Sequence, residues 1–171
     1  MSPEVFIEDF ERTENSDYLH GVLGRSLIIA TRFDAMCIGL SQAIDIKFGR
    51  ITYHSDDEFK ELIQKVISEY RTLHKSIKAF GLPQELSEIL HKARESRNEI
   101  AHSLTKGLSG CIDNKIENTI LINKITELIG NITEGDILIS TLISYFNNDP
   151  ILNTQSMQKY KNRVIDWVIT P

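Results

Sequence analysis

The sequence of 171 residues predicts an all-α protein, an up-and-down bundle of about five principal helices. Apolar residues recur at alternating steps of four and three along most of the chain, which is the spacing of one helix face. Short segments rich in Gly, Pro, Asn or Ser separate these stretches and fit the connections of such a bundle. With 41% hydrophobic and 25% charged residues, residues 1–171 are expected to form a single domain with its own core.

The first strong helical pattern runs from about Asp17 to Phe48 and carries a continuous apolar seam. The seam residues are Val22, Ser26, Ile29, Phe33, Met36, Leu40 and Ala43. Residues 1–16 precede it and are acidic, and they are expected to be an arm or short helix that packs on the body. Arg25 and Arg32 lie seven residues apart on another face of this helix. They could line a groove, although solvent-exposed arginines would show the same spacing.

A second helix is predicted from Ser55 to Phe80, because Ser55 is a good N-cap and is followed by three acidic residues that suit the helix dipole. Its seam is Phe59, Ile63, Val66, Tyr70, Leu73, Ile77 and Phe80. Gly81 ends this helix, and Pro83 begins a third that runs to about Leu104.

The seam of the third helix contains a charged residue, Arg97. The other seam residues are Leu86, Leu90, Ala93, Ile100 and Leu104. Burying a guanidinium costs several kcal/mol unless it is paired or opens onto a cleft. Ser96 and Ser103 fit a slightly rotated seam, which would leave Arg97 at its margin.

The last third of the chain is less regular. Residues 106–114 are expected to form a loop, and Leu121, Ile125, Leu128 and Ile132 indicate a helix, although Asn118–Ile122 also has the character of a strand. Gly130 and Gly135 leave the next connection open. Further helices are predicted at Asp136–Asn147 and Thr154–Ile169, the last with Met157, Tyr160, Val164 and Trp167 on its inner face.

Composition excludes several function classes. The net charge of −5 argues against wholesale electrostatic capture of nucleic acid, although Arg71–Lys106 holds seven basic and four acidic residues. Cys37 and Cys111 have no second Cys or His at metal-ligand spacing, so both are expected to be reduced structural thiols, with no metal and no cofactor. Without a secretion signal or an apolar run approaching about 18 residues, a cytoplasmic location without membrane contact is expected.

The segment most indicative of function is Lys92–Lys106, K-A-R-E-S-R-N-E-I-A-H-S-L-T-K. Its Arg97, Asn98 and His102 resemble the Arg-polar-x-x-x-His signature of HEPN domains (higher eukaryotes and prokaryotes nucleotide-binding). The resemblance implies a metal-independent endoribonuclease of toxin–antitoxin or phage-defence type, a homodimer with a composite site, and an antitoxin or defence-system partner protein. Arg94, His91, Arg25 and Arg32 are then candidates for contacting the RNA substrate.

The chemistry of these three side chains fits RNA cleavage by the substrate's own 2′-hydroxyl. His102 is assigned as general base or acid, Arg97 as the group that stabilises the phosphorane, and Asn98 as an orienting hydrogen-bonder. Arg97 and His102 lie about 140° apart on an ideal helix. Two routes would bring them together: a loosening of the helix near Ala101 and His102, or a second copy whose Arg faces this chain's His.

Three other interpretations remain. Arg97 and His102 could be structural, with Arg97 paired to Glu95, to Glu99 or to a neighbouring helix, and His102 placed at a helix C-terminus. The chain could be a non-catalytic RNA- or protein-binding module, either a degenerate HEPN domain or a regulator resembling the mannitol operon repressors. A helical nucleotide pyrophosphohydrolase would need clustered carboxylates for Mg²⁺, and the isolated pairs Glu58/Glu61 and Glu85/Glu88 have no companion cluster.

Overall fold

The computed structural model describes residues 12–50, 55–69, 72–106 and 116–171, and helices form nearly all of these ranges. The elements are α1 (Glu14–Arg50), α2 (Asp56–Ser68), α3 (Leu73–Ala79), α4 (Gln84–Asn98), a π-helical turn (Glu99–Ser103), α5 (Asn118–Asn147) and α6 (Thr154–Ile169). Since these described ranges contain helices and no strand, the all-α prediction is confirmed. The acidic start of the chain, Cys111 and most of the predicted 106–114 loop lie outside them.

The two longest helices form the centre of the bundle. Helix α1 has 37 residues and contacts α2, α3, α5, α6 and the π turn, while the 30-residue α5 also contacts α4 and α6. Fully buried side chains on these two helices include Leu19, Phe33, Leu121, Ile125, Ile129 and Ile132. Burying apolar side chains of this size contributes about 1.5–3 kcal/mol each, so these residues stabilise the bundle.

Helix α5 corrects two predictions. Asn118–Ile122 is its first turn rather than a strand, and Gly130 and Gly135 lie inside one continuous helix rather than at a join. At Gly135 the reason is close packing, because a Cβ atom there would lie 2.6 Å from the Cβ of Ala93 and 2.9 Å from Cε2 of Phe33. The helix ends at Asn148, which adopts the left-handed conformation with φ of 64°.

The predicted helix from Ser55 to Phe80 is wrong in its continuity. Ser55 does cap α2, with a reciprocal capping box to Glu58. The helix then ends at Glu69, whose backbone is extended, and α3 restarts at Thr72, whose side chain accepts a hydrogen bond from the Lys75 amide. Both pieces still direct their predicted seam residues inward, for example Val66 and Ile77, which is why the apolar spacing alone does not reveal the break.

Two further properties of α1 bear on location and chemistry. Over Glu14–Gly49 the helix is long and apolar enough to cross a membrane by length and composition, so the expectation of no such stretch is wrong by this criterion. The core helix of a soluble protein passes the same test, and the cytoplasmic location stays a prediction. Cys37 is fully buried, and this burial raises the pKa of its thiol, as expected of a structural cysteine.

Candidate functional site

A π-helical turn lies in the middle of the motif. Helix α4 widens at Glu99–Ser103, where the Leu104 amide donates to the Glu99 carbonyl at 2.7 Å, a hydrogen bond between residues five apart. In a regular α-helix Arg97 and His102 would point about 140° apart. The wider turn brings Nη1 of Arg97 to 3.3 Å from Nε2 of His102. The structure therefore takes the first of the two routes, a loosened helix, and joins the pair within one chain.

The contact has a defined direction. A guanidinium has only donors, so Nε2 of His102 is the acceptor in it. Asn98 completes the group, because its Oδ1 accepts from the same Nη1 of Arg97 at 3.1 Å. Asn98 and His102 are both exposed. The three residues singled out from the sequence thus meet at the surface.

Asp34 of α1 is a further member of the site. Nη2 of Arg97 donates to Oδ2 of Asp34, and these side chains retain only 21% and 18% of their exposure. The ion pair offsets the cost of holding a guanidinium next to the core. No sequence signal near Arg97 indicates this partner, which is 63 residues away. The one feature of the sequence that could have indicated Asp34 is its position directly after the core residue Phe33.

The packing below Arg97 follows the rotated seam at Ser96, whereas Ser103, the other serine of that seam, is exposed. Ser96 is 4% exposed, and its hydroxyl accepts from Nδ2 of Asn131 in α5 at 3.0 Å. Ala93 and Ile100 are buried on either side of it along the helix. Arg97 is left at the margin of the buried face, so its head reaches both Asp34 and the surface.

A cavity of about 230 Å³ lies beside Arg97. Helix α1 contributes Asp34 and Ile38, α3 contributes Leu73 and His74, and α4 contributes Arg94 and Asn98. Within the described ranges the guanidinium of Arg94 has one ion pair, with the exposed Glu95 at 3.5 Å. His91 packs its ring against His74 with centroids 5.6 Å apart. Of the four residues predicted to contact RNA, Arg94 thus borders the site and His91 lies behind His74.

Arg25 and Arg32 contact the C-terminal helix instead of the motif. Arg25 donates to the carbonyls of Val168 at 2.9 Å and Thr170 at 3.0 Å, and cations are favourable at this end of a helix. Arg32 donates to the hydroxyl of Tyr160 at 2.9 Å. These contacts give both arginines a role in holding α6 on α1, and their contribution to RNA binding stays a prediction.

A further carboxylate, Asp136 of α5, is buried and was also missed from the sequence. It is 4% exposed, accepts a hydrogen bond from the Tyr160 hydroxyl, and has Arg32 at 3.5 Å. Burial and then the bond to Asp136 raise the pKa of Tyr160 to about 12, so its hydroxyl stays protonated and acts as a donor. The predicted seam did place Tyr160 inward, but it placed Trp167 inward as well, whereas Val168 is buried and Trp167 is 47% exposed.

The described residues contain no group of three or more His, Cys, Asp or Glu side chains that could hold a metal ion. Comparison with family models, curated proteins and solved structures finds no match to this chain. By its fold and its site, the protein is a helical bundle with an arginine–histidine pair at the surface, and a carboxylate anchors the arginine. Its chemistry has to follow from these side chains.

Proposed function

We propose that this protein is a metal-independent endoribonuclease that cleaves RNA through attack of the substrate's 2′-hydroxyl. The observation that carries the proposal is the 3.3 Å contact between Arg97 and His102 across the π turn, on an exposed surface beside a cavity. A proton acceptor and a fixed cation are the two groups that such a reaction requires of the protein. The resemblance of Arg97, Asn98 and His102 to the HEPN signature supports the same chemistry.

In the proposed reaction, the 2′-hydroxyl displaces Nη1 of Arg97 from Nε2 of His102, and Nε2 then accepts the proton of this hydroxyl. The 2′-oxygen forms a bond to the adjacent phosphorus, and the bond from phosphorus to the 5′-oxygen breaks. The products are a 2′,3′-cyclic phosphate and a 5′-hydroxyl, whose proton comes from water or from a second protonated imidazole. Arg97 donates to the non-bridging oxygens, where charge develops, and two N–H groups of its guanidinium can engage them together.

Asp34 and Asn98 act on Arg97 rather than on the substrate. Asp34 anchors one end of the guanidinium from the neighbouring helix, so the other end points consistently at His102. Asn98 accepts from the same Nη1 and restricts its rotation. Donors held in place in this way need little reorganisation during the reaction, which favours catalysis.

The homodimer and the partner protein stay part of the proposal. Because Arg97 and His102 already meet within one chain, a second copy is not needed to join them. Two copies packed motif to motif would supply a second His102, so that one imidazole serves as base and the other as acid. An active ribonuclease also needs restraint in the cell, which is the role that an antitoxin or defence-system partner would have.

The direct test is cleavage of RNA by the purified protein in excess EDTA. Wild-type protein should cleave, and His102→Ala should reduce the rate at least about 100-fold, the usual contribution of a positioned acid or base. His20→Ala is the matched control, since His20 is an exposed histidine on α1. Cleavage that survives His102→Ala at the wild-type rate would refute the assignment.

One observation favours a second candidate, a non-catalytic RNA- or protein-binding module. The pairing of Arg97 with Asp34 is also what a purely structural arginine would show. In that case the protein would bind RNA without cutting it, binding would be indifferent to His102→Ala, and Arg97→Ala would lower only the stability of the fold.

A further inference from the structure

The cavity beside Arg97 is larger than a phosphate group requires. It measures about 230 Å³. A water molecule occupies about 30 Å³ of liquid, so the cavity has room for several waters, enough for a flat heterocyclic base. The scissile phosphate at Arg97 would fill only its edge, and the remaining space lies between α1, α3 and the second half of α4.

The walls of the cavity combine apolar and polar side chains. Ile38 and Leu73 offer apolar surface from α1 and α3, and Arg94 and Asn98 offer polar groups from α4. A nucleobase needs this combination, because its faces are apolar while its edges carry donors and acceptors. A bare phosphate has no face to pack against Ile38 or Leu73, so the wall chemistry favours a base.

Arg94 is the guanidinium left for recognition. Arg97 is held by Asp34 and Asn98, and in the proposed reaction its remaining donors engage the phosphate. Arg94 has only its 3.5 Å contact with the exposed Glu95 within the described ranges, and its buried Nε has no hydrogen-bond partner there. Buried polar atoms are rarely left unpaired, and Nε of Arg97 at the same cavity is unpaired within these ranges as well.

The fork of Arg94 selects among the four bases. A guanidinium presents parallel donors, so it prefers an edge with two adjacent acceptors, which guanine offers at O6 and N7. Adenine places a donor beside N7, and uracil separates its two carbonyl oxygens with a donor. Cytosine has N3 and O2 side by side but carries a donor next to them.

We propose that the cavity is a guanine subsite and that Arg94 determines base specificity there. The inference rests on the proposed ribonuclease function, since it places the guanine on the nucleotide whose phosphate meets Arg97. It predicts cleavage next to guanosine. It also predicts binding of a guanine nucleotide that does not depend on catalysis.

Equilibrium binding tests the subsite separately from the reaction. The four nucleoside 3′-monophosphates are titrated into wild-type protein, Arg94→Lys and Arg163→Lys, with circular dichroism to confirm that each is folded. Guanosine 3′-monophosphate should bind wild type at least about fivefold more tightly than the other three, the discrimination of one bidentate contact. Arg94→Lys keeps the charge but loses the fork, so the preference should disappear. Arg163→Lys, on the exposed surface of α6, should retain it.

The outcomes separate the two proposals. Equal binding of all four nucleotides, or a guanine preference that persists in Arg94→Lys, overturns the subsite even if RNA is cleaved. Selective guanine binding lost in Arg94→Lys supports the subsite even if His102→Ala shows the ribonuclease assignment to be wrong. Sequencing of RNA ends produced by wild-type protein gives a second readout, because an even distribution over the four bases also counts against it.

Discussion

Replacing Gly135 with alanine should destabilise the protein although the same change usually stabilises a helix. In a helix interior alanine is about 1 kcal/mol more favourable than glycine. Here the new Cβ would lie 2.6 Å from the Cβ of Ala93 and 2.9 Å from Phe33. Both neighbours are fully buried, and a Cβ atom cannot move without its backbone, so α4 and α5 would have to separate.

Overpacking of this kind costs about 1–3 kcal/mol, and a contact between two helix backbones belongs at the upper end. After the propensity gain, we expect a net loss of about 2 kcal/mol, which lowers Tm by roughly 4–8 °C for a chain of this length. Urea denaturation followed by circular dichroism measures this loss in the free energy of unfolding. The separation of α4 from α5 should also reduce RNA cleavage per folded molecule, because Ala93 lies one turn before Arg97.

Gly39→Ala is the matched control on α1. A Cβ at Gly39 meets nothing within 4 Å, so only the propensity term applies and stability should rise by about 0.5–1 kcal/mol. If Gly135→Ala were as stable as wild type, the close approach of α4 to α5 at Ala93 would be wrong. If both variants were equally destabilised, the effect would not come from packing at Gly135.

Two further substitutions test the contacts that Asp34 and Asp136 make. Asp34→Asn keeps an acceptor for Arg97 but removes the charge, so we expect about 1–2 kcal/mol less stability and slower RNA cleavage. Urea denaturation measures the stability and initial rates measure the cleavage. No change in either would contradict the anchoring role of Asp34. Tyr160 has its pKa raised to about 12 in the folded state. Its contribution to the free energy of unfolding is therefore complete below pH 10 and is lost as pH rises from about 10 to 12. Tyr160→Phe should lose about 1–3 kcal/mol at pH 7, because Asp136 loses its donor, and the variant should lack that alkaline loss in thermal melts.

The sequence predicted correctly those helix caps and helix ends that depend on residues near one another in the chain. The cap at Ser55, the helix end at Gly81 and the bounds of Thr154–Ile169 depend on residues a few positions apart, and all three agree with the structure. The extended residue at Glu69 interrupts a perfect apolar spacing, because the spacing records which face is buried and not whether the backbone is continuous. Asp34 escaped notice because its partner, Arg97, is 63 residues away.

Gly135 shows the same limit in a different form. From the sequence a glycine signals either a flexible connection or a close approach, and nothing local distinguishes them. The deciding facts are the positions of Phe33 and Ala93, which come from two other helices. The motif itself was recognisable because its residues are near in sequence. The π turn that brings Arg97 to His102 is not encoded by any residue type whose spacing could have been recognised.

Because the π turn joins Arg97 to His102 within one chain, a dimer is not needed to bring them together. Mixed variants can test this. If Arg97 and His102 act within one chain, Arg97→Ala and His102→Ala proteins mixed and refolded together contain no chain with both groups, so cleavage should stay at the level of either variant alone. If the pair instead acted between chains, half of the randomly assembled dimers would carry one intact site of two, and activity would return to about a quarter of wild type. The 3.3 Å contact predicts the first result. Recovery to a quarter would mean that the protein, when bound to RNA, exchanges this contact for one across the dimer.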